Sequence, residues 1–199
     1  MQEIIVSANE AGQRFDKLLA KYLNQAPKSF IYKMLRKKNI VLNGKKADGS
    51  EKLEVGDSVK LFLADETIEK FSFVTIKKTD ADLDIVYEDE HILLLDKPAG
   101  ILSQKAKPND LSLNEWLIGY LLHSRTVTEE SLRRFKPSVC NRLDRNTSGL
   151  VICGKTLIGS REMSRILKDR SLQKYYRTYV HGKMEGAETL TAYHKKNMK

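Results

Sequence analysis

Cysteine, tryptophan and proline are scarce in this 199-residue chain, which contains two, one and four of them respectively. Cys140 and Cys153 stand apart with no CxxC spacing, so neither a disulfide framework nor a zinc site is indicated. We interpret them as buried free thiols. No apolar run approaches the ~18 residues that a membrane span needs. The first residues lack the basic start and apolar segment of a secretory signal, so we predict a cytoplasmic protein.

Sequence support for metals and cofactors is also missing. The four histidines show no spacing typical of metal ligands. No glycine-rich turn between a strand and a helix is present, which excludes a dinucleotide-binding motif. We therefore predict no bound metal and no cofactor.

Positive charge is concentrated in the N-terminal third of the chain. The formal net charge is +9. Residues 14–60 carry 12 Lys and Arg against 5 Asp and Glu, whereas residues 80–199 carry 20 against 16. A concentrated basic face indicates a polyanionic partner, RNA or DNA before a membrane surface. On charge alone, the alternative is a solvated charged face with no partner.

The basic region has the pattern of a small helical module. Apolar residues at helical spacing predict amphipathic helices over residues 14–24 and 30–38, and the second of them is strongly basic. Asn43-Gly44 lies between an apolar and a polar run, which predicts a hairpin turn. A strand is expected over residues 58–63. The expected order is therefore two helices followed by a small strand cluster.

This order, with the segments RFDKLLAKYL, IVLNG and EVGD, resembles the alpha-L RNA-binding module of a small-subunit ribosomal protein, some tRNA synthetases and RNA-modifying enzymes. The resemblance covers residues 12–63. In that family the second helix and the following turn lie against structured RNA. It therefore implies phosphate contacts from five side chains: Lys33, Arg36, Lys37, Lys38 and Lys45. Such contacts position a protein on RNA without reading its sequence.

The remaining chain mixes strands and helices without a strict βαβ repeat, which indicates the α+β class. Strands are expected at LDIVYED and HILLLDK, the second buried on both faces and ended by Pro98. Further elements are expected at four segments: helices over Leu113–Leu122 and Leu157–Leu167, and strands over Leu150–Cys153 and Tyr175–His181.

We divide the chain into three parts. Residues 1–64 form the RNA-binding module, and residues 65–82 a linker with a strand-like apolar patch at Phe71–Ile76. Residues 83–199 belong to a mixed, mainly antiparallel sheet domain.

Three motifs follow one another in this last part: LLLDKPAGIL, NRLDRNTSGLVICGK and KYYRTYVHG. In the second motif a single carboxylate, Asp144, lies between Arg142 and Arg145. By itself this arrangement is either a surface ion pair of little energetic weight or a carboxylate kept ionised for chemistry. In an extended segment Arg142 and Asp144 project to the same face.

In this order and spacing the motifs resemble the large-subunit rRNA pseudouridine synthases of the RluA, RluC and RluD type, which commonly carry the same basic module ahead of the catalytic domain. The resemblance implies an RNA pseudouridine synthase, an isomerase that breaks the N-glycosidic bond of a uridine, turns the base and rejoins it through carbon. This reaction involves no redox change, so the resemblance implies no cofactor.

The resemblance also implies the site. Asp144 is the nucleophile, and a carboxylate suits attack on either the sugar or the base. Arg142 holds the target uridine outside the RNA stack, and Tyr176 packs against the extruded base. Arg142 and Arg145 are expected to lower the pKa of Asp144 in a partly desolvated pocket. The DKPAG turn is expected to be structural and to border the site.

The chain departs from the family pattern at two places. Asn141 stands where the family often has His, which leaves Asp144 in place. No segment of the TGRxHQ[IL]R kind, whose arginine pairs with the catalytic aspartate in the family, occurs before Lys199. We therefore expect an N-terminal portion of the enzyme or a truncated relative, with an incomplete catalytic domain.

Two alternatives accompany the isomerase hypothesis. One is a non-catalytic RNA- or ribosome-binding protein. The other is a carboxylate-based hydrolase, which the basic module and the lack of a second acid paired with Asp144 argue against. RNA is the expected partner, 23S-type rRNA first and transfer RNA second. The sequence identifies neither the target uridine nor the oligomeric state.

Overall fold

The computed structural model describes residues 1–72, 84–107, 109–183, 185–189 and 191–193. The helices are α1 (Phe15–Tyr22), α2 (Lys28–Arg36), α3 (Asp65–Phe71), α4 (Leu113–His123), α5 (Glu129–Arg134) and α6 (Leu157–Lys168). The strands are β1 (Gln2–Ile5), β2 (Ile40–Leu42), β3 (Ser58–Leu61), β4 (Ile85–Glu88), β5 (Ile92–Lys97), β6 (Ser138–Val139) and β7 (Gly149–Gly154). Mixed helices and antiparallel sheets confirm the predicted α+β class.

The N-terminal unit packs α1 and α2 against a three-stranded antiparallel sheet of order β1-β3-β2. Phe15, Leu18 and Leu19 form the buried stripe of α1, because residues three and four apart lie on one helix face. Ile31 and Leu35 do the same on α2. Both predicted helices are confirmed, although α2 begins and ends two residues earlier than expected.

A tight turn at Asn43-Gly44 connects β2 to a single bridging residue, Lys45. Asn43 and Gly44 have φ values of 50° and 71°, the left-handed conformations that a type I′ turn requires. The predicted turn is therefore confirmed. Its returning arm is only one residue long, and β2 pairs along its length with β3 instead.

The first part of the predicted linker forms a helix that packs on the N-terminal unit. Helix α3 covers Asp65–Phe71, and its Ile68 is fully buried in the N-terminal core. The Phe71 ring lies 4.8 Å from the Phe30 ring, measured between centroids. Asp65 and Glu66 occupy the first turn, where acidic side chains complement the helix dipole. The apolar patch at Phe71–Ile76 was expected to be strand-like, but Phe71 is helical and residues 73–76 lie outside the described residues.

The C-terminal unit contains a four-stranded antiparallel sheet of order β4-β5-β7-β6. Its core lies between one sheet face and α4, and it includes Leu93, Leu95, Leu117 and Val151. The prediction that β5 is buried on both faces is wrong: Leu93 and Leu95 are buried, whereas Asp96 on the other face is exposed. The alternation arises because an antiparallel sheet buries one face only.

Helix α6 packs against β7 and also contacts the N-terminal unit. Gly159 lies so close to the His91 carbonyl that a Cβ there would stand 2.4 Å from the oxygen. The Asn9 side chain accepts a 2.5 Å hydrogen bond from the Leu157 amide, and Arg161 donates to the Ala11 carbonyl at 3.2 Å. These two bonds join the units at the first turns of α6. In the described part of the chain, no helix has the length and apolarity needed to cross a lipid bilayer.

Candidate active site

The loop that connects β6 to β7 carries Arg142, Asp144 and Arg145. The side chain of Asn141 fixes the start of this loop. Asn141 Oδ1 accepts a 2.7 Å hydrogen bond from the Ile152 amide, and Nδ2 donates to the Leu150 carbonyl at 3.2 Å. The side-chain amide thus continues the pairing of β6 with β7 after the backbone has left the sheet. The backbone at the start of the loop is therefore held in place against β7.

Ser103 holds the residue before Asp144. Its side chain is buried, and Oγ donates to the Leu143 carbonyl at 2.8 Å while accepting from the Leu143 amide at 3.1 Å. One hydroxyl therefore satisfies both backbone polar groups of Leu143, a task that a neighbouring strand performs elsewhere in a sheet.

Lys97 holds the residue after Asp144. Its side chain is fully buried at the end of β5, and Nζ donates to the carbonyls of Pro98, Ile101 and Arg145 at 3.0, 2.9 and 3.3 Å. The Gly100 amide also donates to the Arg145 carbonyl, at 2.7 Å. Burial lowers the pKa of Lys97, since desolvation disfavours its charged form. The DKPAG turn and the RLDR segment are therefore joined through one buried ammonium group.

Asp144 itself is exposed between these two fixed neighbours. Its carbonyl accepts from the Thr147 amide at 3.1 Å and closes a turn. Arg142 and Arg145 are also exposed. Among the described residues, no salt bridge joins Asp144 to either arginine, and the partly desolvated pocket expected around Asp144 is not formed. The described residues leave this loop open to solvent, so nothing forces the charges together.

Tyr176 is not brought to the loop. The predicted strand over Tyr175–His181 is wrong, because this described segment pairs with no strand and its side chains are exposed. Tyr176 is 67% exposed and makes no hydrogen bond or ring contact with Asp144. An alternating sequence forms a strand only where a partner supplies the ladder hydrogen bonds, and the described residues supply none here. The pocket role of Tyr176 stays a prediction.

Sequence reasoning missed the roles of Lys97, Ser103 and Asn141 in holding the loop. The DKPAG motif indicates only a structural turn for Lys97, and no sequence motif indicates a role for Ser103. A lysine that directly follows a buried strand and precedes Pro-Ala-Gly is an available signal for a buried cation. The partners of Ser103 are 40 residues away in the chain, and no local pattern reveals them.

Other chemistries find little support near the loop. Cys153 is a buried free thiol, as predicted, and burial raises its pKa to about 12. It is therefore protonated and unreactive at neutral pH. Cys140 is also free but only partly buried. Within the described ranges, no three His, Cys, Asp or Glu side chains are grouped so that they could hold a metal ion.

The basic surface on the N-terminal unit lies where the sequence placed it. It consists of five exposed side chains on α2 and the two turns that follow: Lys33, Arg36, Lys37, Lys38 and Lys45. None of them takes part in a salt bridge with another described residue. Their charges therefore remain available to an external anion.

Lys38 occupies an unusual backbone position at the end of α2. Its φ is 59°, the Lys38 amide donates to the Leu35 carbonyl, and the Asn39 amide donates to the Met34 carbonyl. This is the Schellman arrangement, in which the left-handed position is usually glycine. A lysine here is less stable than glycine, so the chain keeps a charge at a structural cost.

Comparison with known proteins was decisive for the family. Residues 91–199 match the family model described as RNA pseudouridylate synthase, and residues 13–59 match the S4 domain. The first match alone covers more than half of the chain. The chain belongs to the RNA pseudouridylate synthase family. The resemblances drawn from the three motifs and from the basic module are thereby confirmed.

Several curated relatives match along nearly the whole chain. Ribosomal large subunit pseudouridine synthase C of Escherichia coli (strain K12) is 34% identical over 185 residues, which cover 92% of this chain and 55% of the relative. The protein of that name from Vibrio cholerae is 30% identical, with 92% and 56% covered. An uncharacterized RNA pseudouridine synthase of Mycoplasma genitalium is 29% identical, with 98% and 61% covered. The chain thus spans little more than half the length of these relatives.

Proposed function

We propose that this protein isomerises uridine to pseudouridine in structured RNA, with large-subunit rRNA as the substrate and Asp144 as the nucleophile. The observation that carries the proposal is the arrangement around Asp144. An exposed carboxylate stands between two residues whose backbone groups are held by buried side chains, Ser103 and Lys97. A catalytic group on a rigid support needs little reorganisation at the moment of reaction.

The reaction requires no co-reactant beyond the RNA itself. The N1–C1′ bond of the uridine breaks, the base turns, and C5 bonds to C1′ while the hydrogen that C5 carried is lost and a nitrogen gains one. No atom is gained or lost overall, so no co-reactant is consumed. In our proposal Asp144 forms and releases a transient covalent bond, which divides one difficult step into two easier ones.

The other groups act on the RNA. The target uridine leaves the stack, because its glycosidic carbon is not accessible inside a helix. We assign Arg142 to the extruded conformation and Tyr176 to the face of the base, each by its place in the family motif. The basic surface of the N-terminal unit binds backbone phosphates, which gives affinity without sequence preference. Because the proposed substrate is ribosomal RNA, we propose that the protein acts in the cytoplasm, where the ribosomes are.

A second candidate function is RNA binding without catalysis. It is favoured by one observation, the exposure of both Asp144 and Tyr176 on segments that do not contact each other. In this case the carboxylate is a surface group, and its removal leaves every function of the protein intact.

The Asp144→Asn variant separates the two functions. In the natural gene product acting on rRNA from a strain that lacks the enzyme, we expect conversion of uridine to fall at least ~10⁴-fold, because an amide cannot act as a nucleophile. RNA affinity, measured in parallel, should stay within about twofold because a surface carboxylate makes no attractive contact with phosphate.

The matched control is Asp65→Asn, since Asp65 is an exposed carboxylate in the first turn of α3 and belongs to neither motif of the candidate site. It should retain normal turnover. Appreciable conversion by folded Asp144→Asn protein would exclude the nucleophile assignment. A natural gene product that binds rRNA and converts no uridine would establish the second function instead.

A further inference from the structure

The Ser103 hydroxyl occupies a site that only a small hydrogen-bonding side chain can fill. It is 4% exposed and contacts both polar groups of the Leu143 backbone, at 2.8 and 3.1 Å. A hydroxyl is able to donate and accept at the same time. An alanine at this position removes the partner of the Leu143 carbonyl and amide, both of which are partly buried.

The segment that carries Ser103 is itself fixed. Leu102 bridges in parallel to Ser112, and the Leu113 amide donates to the Leu102 carbonyl at 2.8 Å. Ser112 begins α4 with a capping box that includes Glu115. The backbone next to Ser103 is therefore held by the first turn of α4, a core helix, and not by another loop.

The position of Leu143 determines where the next residue, Asp144, begins. Its side chain packs on the C-terminal core, and its backbone is held by Ser103, so the residue has little freedom to move. Asp144 follows directly. On the far side, the Arg145 carbonyl is held by Gly100 and Lys97. The Asp144 backbone is thus held from both sides, once by α4 through Ser103 and once by β5 through Lys97.

We propose that Ser103 is a positioning residue for the reaction, which sets the place of the Asp144 carboxylate through the Leu143 backbone. This inference rests on the proposed function of Asp144. Loss of the hydroxyl frees Leu143 on one side while the Lys97 contacts remain. The expected result is a carboxylate displaced by a fraction of an ångström to an ångström, and misplacement of this size costs up to about 100-fold in rate.

The test compares Ser103→Ala with Ser103→Thr and with a control in the natural gene product. Ser103→Ala should lower kcat about 10- to 100-fold while KM and the Kd for rRNA stay unchanged, because Ser103 is buried and is not accessible to RNA. Ser103→Thr restores the hydroxyl and should recover most of that loss. Ser160→Ala is the control: Ser160 lies on α6, its buried Oγ has no hydrogen-bond partner among the described residues, and its variant should keep normal kcat.

A second measurement needs no activity. Amide hydrogen exchange should be at least about tenfold faster at Leu143 in Ser103→Ala than in the unmodified protein, since local opening no longer breaks a hydrogen bond. The Ile152 amide, which is held by Asn141, should be unaffected. Faster exchange at both amides would indicate general loosening and would contradict a specific role.

The outcomes separate this inference from the proposed function. If Asp144→Asn is inactive and Ser103→Ala has normal kcat, the positioning role is wrong and the nucleophile assignment stands. If Ser103→Ala raises KM and leaves kcat unchanged, Ser103 acts on binding and the positioning role is again wrong. If Asp144→Asn converts uridine normally, both proposals are wrong.

Discussion

The two units of this protein present their functional groups in opposite ways. The N-terminal unit has a core of 17 buried side chains among its described residues, and its basic groups are exposed side chains on α2 and the turns that follow it. The C-terminal unit has a core of eight, and its candidate nucleophile lies on a loop held by buried polar contacts. Phosphate binding tolerates mobile charges, because contacts with a polyanion are long-range. Covalent chemistry does not, because the reacting atoms must be placed closely.

The difference also separates two kinds of stability. In the N-terminal unit stability comes from apolar burial around helices that the sequence pattern already indicates. In the C-terminal unit buried polar networks join segments far apart in the chain, such as Lys155 with Glu88 and Lys97 with Arg145. Removing one member of such a network leaves partly buried polar groups without their partners, which costs stability.

The largest effect on stability is expected for Phe15→Ala. Phe15 is fully buried in the N-terminal core, and its truncation should lower the free energy of unfolding of that unit by about 4 kcal/mol. Hydrogen exchange should accelerate throughout α1 and β3 and accelerate less in β5 and β7, because each unit has its own sheet and its own core, although α1 also contacts α5. Equal acceleration in both sheets would show that the units unfold together and would break the comparison.

The next largest loss of stability is expected for Lys155→Met. Lys155 Nζ lies 2.6 Å from Glu88 Oε1, with only 7% of the lysine side chain exposed, and the Tyr120 hydroxyl donates to the other carboxylate oxygen. Loss of the cation leaves a partly buried charge, which should cost about 3 kcal/mol at neutral pH. The matched control is Arg165→Met, whose partners Glu162 and Asp169 lie on the exposed surface of α6 and whose loss should not change the melting temperature measurably.

The cost of Lys155→Met should depend on pH. Burial raises the pKa of Glu88, but the hydrogen bonds from Lys155 and Tyr120 outweigh it and hold the pKa below its ordinary value. The ionised carboxylate therefore stabilises the fold above the pKa of an unfolded Glu, and this contribution disappears as pH falls through the lowered folded-state value. Denaturant titrations should show the difference between Lys155→Met and the unmodified protein shrinking in acid. A constant difference would mean that Lys155 acts through packing alone.

The smallest effect is expected for Lys38→Gly, where stability and binding should change in opposite directions. Glycine adopts the left-handed conformation at φ 59° without strain, so the variant should be more stable by about 0.5–1 kcal/mol. RNA affinity should fall. The slope of log affinity against log salt should become shallower by roughly one unit, as expected for the loss of one phosphate contact.

Lys37→Gly is the matched control, because Lys37 has a helical φ of −80° and loses the same charge. It should weaken binding similarly but should not stabilise the protein. A Lys38→Gly protein with unchanged salt dependence would remove Lys38 from the RNA-binding surface.

Local patterns in the sequence were sufficient for most elements. The buried stripes of α1 and α2, the turn at Asn43-Gly44 and the strand β7 follow from periodicity and turn chemistry, which act over a few residues. The motif around Asp144 likewise indicated the family. Local patterns predicted a strand at Tyr175–His181 that the structure does not form, because a strand needs a partner that its own sequence does not supply.

The tertiary structure alone decided how the candidate site is held. The sequence determined that a carboxylate follows Arg-Leu and precedes a turn into β7. It did not determine that Ser103 would meet Leu143, or that the Lys97 ammonium group would be enclosed by three carbonyls. Two of these contacts, from Ser103 to Leu143 and from Lys97 to Arg145, reach backbone groups 40 and 48 residues away. Side-chain pattern carries no information about such partners, because only the folded path of the chain brings a given carbonyl to a given donor.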